Sequence, residues 1–151
     1  MSDGGQIRLP QVGAVCKTER IEVTRESILA FAERFDPQAM HREDAAAERS
    51  VFGGLVASGW QTACLTMRMV VRADILSGAP LVGLEVRRMK FEGPVRPGDV
   101  LRAEAVIESA RGASRADRGI ATVGVTTFAC GPDAEERVVL TQTWTVLVTP
   151  A

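Results

Sequence analysis

The segment that most constrains the fold is residues 60–76, the most apolar helix candidate in the chain. Its apolar side chains would cover most of the circumference of a helix, and they are Ala63, Cys64, Leu65, Met67, Met69, Val70, Val71, Ile75 and Leu76. A helix that is apolar nearly all round is a buried one. The rest of the chain must therefore supply a layer that wraps around it.

The second half of the chain supplies that layer as a series of predicted strands. After a first strand at residues 12–23, the later ones are residues 81–91, 100–108, 119–130 and 138–148. The strand from residue 100 alternates cleanly, whereas the strand from residue 81 shifts phase near Arg87–Arg88 and is predicted to be irregular. Strands gathered after helices indicate an α+β fold, in which an antiparallel sheet curls around one apolar helix.

Length and composition limit the classes of function. At 151 residues the chain fits one domain, and we expect residues 12–151 to form it, with residues 1–11 frayed. The net charge is −1 and both signs are mixed, which gives no case for binding nucleic acid or a membrane. One histidine and three scattered cysteines, Cys16, Cys64 and Cys130, argue against a zinc site and a disulfide framework. We expect a cytoplasmic protein.

The only histidine, His41, follows Asp36 by five residues. Histidine moves protons near neutral pH, and a nearby carboxylate can hold its tautomer or share the proton. Thr24 can cap an amphipathic helix that ends before Pro37, so Asp36 should lie where that helix opens into a loop. A short helix is predicted over residues 41–49. The two side chains are therefore the candidate acid–base pair.

A glycine-rich stretch leads into the apolar helix. Gly53–Gly54 and Ser58–Gly59 both precede it, and a helix N-terminus offers unpaired N–H groups and the positive end of a dipole. Gly59 lets a substrate approach the backbone without a Cβ in the way, and its N–H can stabilise an oxyanion. The structural alternative is a tight loop for the glycines and an ordinary N-cap for Ser58.

The order of these motifs resembles that of the MaoC-like acyl dehydratases, which include the (R)-specific enoyl-CoA hydratases. The shared motifs are Asp-Pro-Gln-x-x-His, a Phe-Gly-Gly loop, Ala-Ser-Gly-Trp, an apolar helix and Arg-Pro-Gly-Asp. The resemblance covers about residues 12–148. In this family a histidine follows an aspartate by five positions, as in Asp36 and His41, and a small residue, here Ala47, follows six positions later. Gln38 stands where asparagine is common.

The resemblance implies a hot-dog fold, in which an antiparallel sheet wraps around a long apolar central helix, and a homodimer or higher homo-oligomer. It implies reversible hydration of an enoyl-CoA to a 3-hydroxyacyl-CoA, with Asp36 and His41 as the catalytic pair. Gly59 matches the glycine that opens the central helix in the family. With Ser58 and Gln38 it is assigned to the oxyanion and substrate site. The substrate is a CoA thioester, and neither a metal nor another cofactor is expected.

Two other functions stay open. Some hot-dog proteins are acyl-CoA thioesterases that use a carboxylate on the central helix. Residues 60–71 hold no Asp or Glu, and Gln61 and Thr62 are poor bases, which argues against this function. The other alternative is a non-catalytic acyl-binding domain or partner subunit, which the altered residues Gln38 and Ala39 favour and the retained acid–base pair opposes.

Overall fold

The computed structural model describes residues 7–133 and 135–151. The elements are β1 (Val15–Lys17), β2 (Ile21–Glu22), α1 (Arg25–Phe35), a 3₁₀ turn (Ala39–His41), α2 (Asp44–Arg49), α3 (Gly59–Arg72), β3 (Val82–Phe91), β4 (Val100–Gly112), β5 (Gly119–Cys130) and β6 (Glu136–Val148). Of the segment predicted to be frayed, residues 1–6 lie outside the described residues, and the domain boundary at residue 12 stays a prediction. None of the helices in the described ranges is long and apolar enough to cross a membrane.

Six strands form one antiparallel sheet in the order β1-β4-β5-β6-β3, with β2 also paired to β4. The long central strands pair from Val100 opposite Cys130 to Gly112 opposite Gly119. The inner face of β4 is buried as its alternation predicts, through Leu101, Ala103, Ala105 and Ile107. Helix α3 packs across this face against β4 and β6. The sheet wrapped around one helix confirms the expected hot-dog fold.

The first predicted strand, residues 12–23, is divided into β1 and β2. The division has a side-chain cause at Thr18. Its hydroxyl accepts the Ala103 N–H at 2.9 Å, and its own N–H donates to the Ala103 carbonyl at 3.0 Å. A side-chain oxygen thus replaces one link of the backbone ladder, and the chain gains a residue relative to β4, as in a β-bulge.

Strand β3 lies at the edge of the sheet and is irregular, as the phase shift in its sequence predicts. Its register with β6 shifts between Arg87 and Lys90, and Arg88 has a left-handed backbone with φ of 53°. Its outer edge carries no strand partner among the described residues, and Val82 and Val86 are exposed. A free apolar edge of this kind is normally covered.

The central helix is shorter and less evenly buried than its composition predicts. It ends at Arg72 rather than near residue 76. Trp60 and Val71 are exposed by 59% and 52%, so the expectation of burial all round is wrong for the single chain. The buried residues of the helix are Gln61, Thr62, Thr66, Met69 and Val70. The apolar side chains outnumber the positions that one sheet can cover, so part of them face outward.

Candidate active site

Asp36 lies at the end of α1, as the sequence predicts. The Thr24 side chain caps the helix by accepting the Ser27 N–H at 3.1 Å, and the Asp36 N–H closes the last turn on Ala32 at 3.0 Å. Pro37 cannot continue the helix, and Asp36 leaves the helical conformation with φ of −149° and ψ of 71°. The carboxylate is thereby turned from the helix end toward α3, with its side chain 15% exposed.

His41 lies in the 3₁₀ turn and is 4% exposed. Its Nδ1 is 2.8 Å from the Val56 carbonyl oxygen, which can only accept a hydrogen bond, so Nδ1 carries a proton. Its Nε2 lies 3.5 Å from Oδ2 of Asp36. Because Nδ1 is committed to the backbone, Nε2 is the ring nitrogen that can take up and release a proton.

The Asp36 carboxylate is held by two neutral donors. The Ser58 hydroxyl donates to Oδ2 at 2.7 Å, and the Gln38 side-chain amide donates to Oδ1 at 2.7 Å. Burial raises the pKa of Asp36, but the hydrogen bonds from Ser58 and Gln38 and the nearby His41 outweigh it and leave the pKa below its ordinary value. Asp36 is therefore ionised at neutral pH, as a proton acceptor must be.

Ser58 also caps the central helix. Its Oγ accepts the Trp60 N–H at 3.2 Å, and its carbonyl accepts the N–H groups of Gln61 and Thr62 at 3.0 and 3.3 Å. Among the described residues, nothing accepts the remaining N–H of this turn, that of Gly59. One unpaired donor thus stands at the positive end of the α3 dipole.

Gly59 is required here by space. A Cβ built at this position would lie 2.6 Å from the ring of Phe91, at the end of β3. That ring packs edge-on against Trp60, with 6.0 Å between the ring centroids. An aromatic pair therefore covers the helix entry where the free N–H lies.

All of these groups line one cavity of about 500 Å³ at the N-terminus of α3. Its polar lining is Asp36, Gln38, His41, Ser58, Thr62 and Glu92. Its apolar lining includes Met40, Phe52, Val56, Trp60, Phe91 and Val139. A larger cavity of about 680 Å³ lies at the other end of α3, but its described lining holds no carboxylate side chain and no imidazole. The first cavity is therefore the candidate active site.

The structure brings together all five residues assigned to the site from the sequence, which are Asp36, Gln38, His41, Ser58 and Gly59. Sequence reasoning missed the Val56 carbonyl and the Phe91 ring. A backbone acceptor leaves no trace in residue type. The phase shift in β3 marked an irregular strand end, but it did not indicate which ring would be carried to the helix.

An antiparallel sheet wrapped around one helix, with a cavity at the helix N-terminus, defines a hot-dog domain. Within that class, the chain belongs to the family described as the MaoC like domain, whose model matches residues 9–129.

The chain is also similar to a protein from Bacillus subtilis and to solved structures. The uncharacterized protein YdeM of Bacillus subtilis (strain 168) is 32% identical over 117 residues, which cover 78% of this chain and 82% of the relative. The crystal structure of a MaoC-like dehydratase from Rhodospirillum rubrum is 35% identical with a TM-score of 0.81, covering 93% of this chain and 94% of that one. The (R)-hydratase PhaJ1 from Pseudomonas aeruginosa shares the fold at 18% identity and a TM-score of 0.71, with 93% and 83% covered.

Proposed function

We propose that this protein is an acyl-thioester hydro-lyase that reversibly adds water to the double bond of an enoyl-CoA. The observation that carries the proposal is the meeting of three groups in one cavity: the Asp36 carboxylate, the His41 Nε2 and the unpaired Gly59 N–H. Hydration of an enoyl thioester needs a proton acceptor, a proton donor and a stabilised thioester oxygen.

The Gly59 N–H is assigned to the thioester oxygen. When water attacks Cβ, electrons move through Cα toward the carbonyl, and the oxygen gains negative charge. A donor fixed at the end of a helix stabilises this charge without reorganising. Ser58 supports the assignment, because its hydroxyl serves the Trp60 N–H and leaves the neighbouring donor for the substrate.

Asp36 and His41 are assigned to the two proton transfers. The C–O bond forms at Cβ as one of the pair removes a proton from water, and the other delivers a proton to Cα. Their facing atoms are 3.5 Å apart, so one bound water can contact both. Asp36 is ionised in the resting protein, so its carboxylate can accept a proton, and Nε2 is the ring nitrogen of His41 that faces it. Dehydration reverses the steps.

We also propose that the protein acts as a homodimer paired through β3. This strand offers a free edge with Val82, Leu84 and Val86 exposed by 40%, 52% and 53%. Trp60 and Val71 are exposed on α3 as well, and exposed apolar side chains beside a free strand edge favour an interface. Sedimentation velocity should give the mass of a dimer, and a monomer at micromolar concentration would contradict the assignment.

The activity is tested with crotonyl-CoA by following the loss of enoyl absorbance. The wild-type protein should hydrate it, and Asp36→Asn and His41→Ala should each abolish hydration while circular dichroism shows intact folding. Asp117→Asn, the same change in the turn between β4 and β5, is the matched control and should keep full activity.

Each other outcome has a definite meaning. Hydration that survives both Asp36→Asn and His41→Ala overturns the assignment of the pair. Release of free CoA without hydration identifies a thioesterase instead. Saturable binding of crotonyl-CoA without turnover identifies a non-catalytic acyl-binding domain.

A further inference from the structure

The buried face of α3 is unusually polar next to the cavity. Gln61, Thr62 and Thr66 are exposed by only 4%, 3% and 0%. Of the three, Thr62 lines the cavity. Buried hydroxyls in proteins are almost always hydrogen-bonded, so each one without a partner requires an explanation.

Thr62 and Thr66 differ in how their hydroxyls are used. The Thr66 hydroxyl donates to the Thr62 carbonyl at 2.8 Å and lies 2.7 Å from the Thr127 hydroxyl. The Thr62 hydroxyl has no such partner among the described residues, although threonine in a helix commonly bonds back to the preceding turn. Among the described residues, the side-chain atoms that are fully buried and lack a hydrogen-bond partner are Gln61 Oε1 and Gln142 Nε2. The Thr62 hydroxyl is not one of them, so it is accessible. It is therefore open to the cavity.

The position of Thr62 along α3 places its hydroxyl at the depth of the acyl chain of a bound substrate. It follows Gly59 by three residues, which is about 4.5 Å along the helix axis. With the thioester oxygen on the Gly59 N–H, the carbon beyond Cβ extends about one turn deeper. Val56, Val95 and Val139 are buried apolar residues of the same cavity lining. The open hydroxyl is thus a polar group in an apolar surround, at the depth of the acyl chain.

The charges of the cavity limit what that group can bind. Its described lining includes the carboxylates of Asp36 and Glu92 and no lysine or arginine. A carboxylate on the acyl chain would be buried near the Asp36 carboxylate, with no lysine or arginine in the described lining to pair with it, which is strongly unfavourable. A neutral hydroxyl or keto group has no such cost and can bond to Thr62.

We propose that Thr62 is a specificity-determining residue that selects short enoyl thioesters bearing a neutral hydrogen-bonding group on the carbon beyond Cβ. The inference rests on the proposed hydration and names its substrate class. An apolar chain leaves the Thr62 hydroxyl without a partner, and a site that hydrogen-bonds a substrate hydroxyl discriminates against the analogue that lacks it.

The experiment compares kcat/KM for 4-hydroxycrotonyl-CoA, crotonyl-CoA and fumaryl-CoA with the full-length protein. The hydroxylated substrate should exceed crotonyl-CoA by about tenfold, the effect of one buried hydrogen bond, and fumaryl-CoA should be at least about 100-fold poorer than either. Thr62→Val, which keeps the shape and removes the hydroxyl, should bring the first ratio to about one. Thr62→Ser should retain the preference, because it keeps the hydroxyl.

Thr66→Val is the matched control, since it removes a hydroxyl one turn along that is already bonded within the protein. It should lower stability and leave the ratio of the two substrates unchanged. Thr62→Ala carries the same expectation as Thr62→Val, so the test stays decisive if the valine variant folds poorly.

The outcomes distinguish a failure of this inference from a failure of the proposed hydration activity. If the wild-type protein hydrates 4-hydroxycrotonyl-CoA and crotonyl-CoA with nearly equal kcat/KM, the inference is overturned and the proposed function stands. The inference is also overturned if Thr62→Val leaves the ratio of the two kcat/KM values unchanged. Equal losses on both substrates in that variant would assign the Thr62 hydroxyl to the attacking water. Efficient hydration of fumaryl-CoA refutes the requirement for a neutral group, and no hydration of any of the three overturns the proposed function as well.

Discussion

Two aspartates, Asp36 and Asp99, show how the surroundings of a carboxylate decide its role. Asp36 precedes Pro37, and Asp99 closes the turn Arg96–Asp99; their side chains are 15% and 4% exposed. Asp99 accepts the guanidinium of Arg137 at 2.5 Å and the Arg96 N–H at 2.8 Å. Asp36 instead accepts a hydroxyl and an amide, and its Oδ2 lies 3.5 Å from Nε2 of His41 in the cavity. Asp99 is paired with a permanent cation inside the fold, whereas Asp36 is held by neutral donors and lies where a substrate can reach it.

The Asp99 turn supports the fold around the site. Gly98, with φ of 90°, donates its N–H to the Val23 carbonyl at 2.8 Å. The Val23 N–H donates to the Asp99 carbonyl at the same distance. Val23 directly precedes the cap of α1, so this turn fixes where the helix that carries Asp36 begins. Asp99 thus stabilises the turn that positions α1, and α1 carries Asp36 to the cavity.

The largest expected effect is the loss of activity in Asp36→Asn. Hydration should fall by about 10³-fold, because the amide cannot exchange a proton. The thermal midpoint should stay within about 2 °C of wild type, because asparagine keeps the volume and can still accept a hydrogen bond. The check is crotonyl-CoA kinetics beside a thermal melt. A large fall in the melting midpoint would assign a structural role to Asp36.

The opposite result is expected for Asp99→Asn. Its free energy of unfolding should fall by about 2 kcal/mol, since the partly exposed Arg137 loses its partner and the buried turn loses a charged acceptor. Hydration per folded molecule should stay within about threefold of wild type, because Asp99 does not touch the cavity. Urea denaturation measures the first quantity and initial rates the second. Unchanged stability would remove the contrast between the two carboxylates.

Replacing a glycine near each carboxylate by alanine should have an intermediate effect on the rate of hydration. A Cβ at Gly59 would lie 2.6 Å from the Phe91 ring, and one at Gly131 would lie 3.2 Å from Oδ1 of Asp99. Gly59→Ala should lower hydration by about tenfold, because it displaces the ring over the helix entry. Gly131→Ala should leave the rate unchanged.

The double variant Gly59→Ala with Phe91→Ala provides the control for this effect. It should recover part of the lost rate, because removing the ring gives the added methyl group room. Equal losses in the single and double variants would show that the methyl group itself, and not the displaced ring, blocks the Gly59 N–H.

The sequence predicts those parts of the site that depend on local chemistry. Pro37 and the Thr24 cap place Asp36 at a helix end, and the Ser58–Gly59 pair marks the entry of α3. The clean alternation of β4 predicts its buried face because burial on one side of a sheet imposes a period of two. Each of these signals lies within a few residues of the feature that it predicts.

The remaining parts depend on contacts between distant residues. Phe91 reaches Gly59 only because β3 pairs with β6 along the edge of the sheet, with a shifted register. The exposed Trp60 contradicts the expectation of a fully buried helix, because apolar composition does not show which side of a helix meets the sheet. Composition also gave no indication that Thr62 would keep an open hydroxyl.

The smallest expected effect is a shift in the pH dependence of hydration. Burial raises the pKa of Asp36, and the hydrogen bonds from Ser58 and Gln38 lower it below its ordinary value. Activity that needs the ionised carboxylate is present above this pKa and is lost as the pH falls through it. The acidic limb of kcat/KM should therefore lie below the ordinary pKa of an aspartate.

Ser58→Ala removes one of these donors, so the pKa of Asp36 should rise and the acidic limb should move to higher pH. Gln38→Ala should move the limb the same way and less far, because its amide is exposed to competing water. Ser58→Ala should also cost about 1 kcal/mol through the lost cap of α3, whereas Ser58→Thr keeps the hydroxyl and should match wild type in both respects. An acidic limb that none of these variants moves would mean that Asp36 does not titrate in the rate-determining step, and the contrast with Asp99 would then rest on geometry alone.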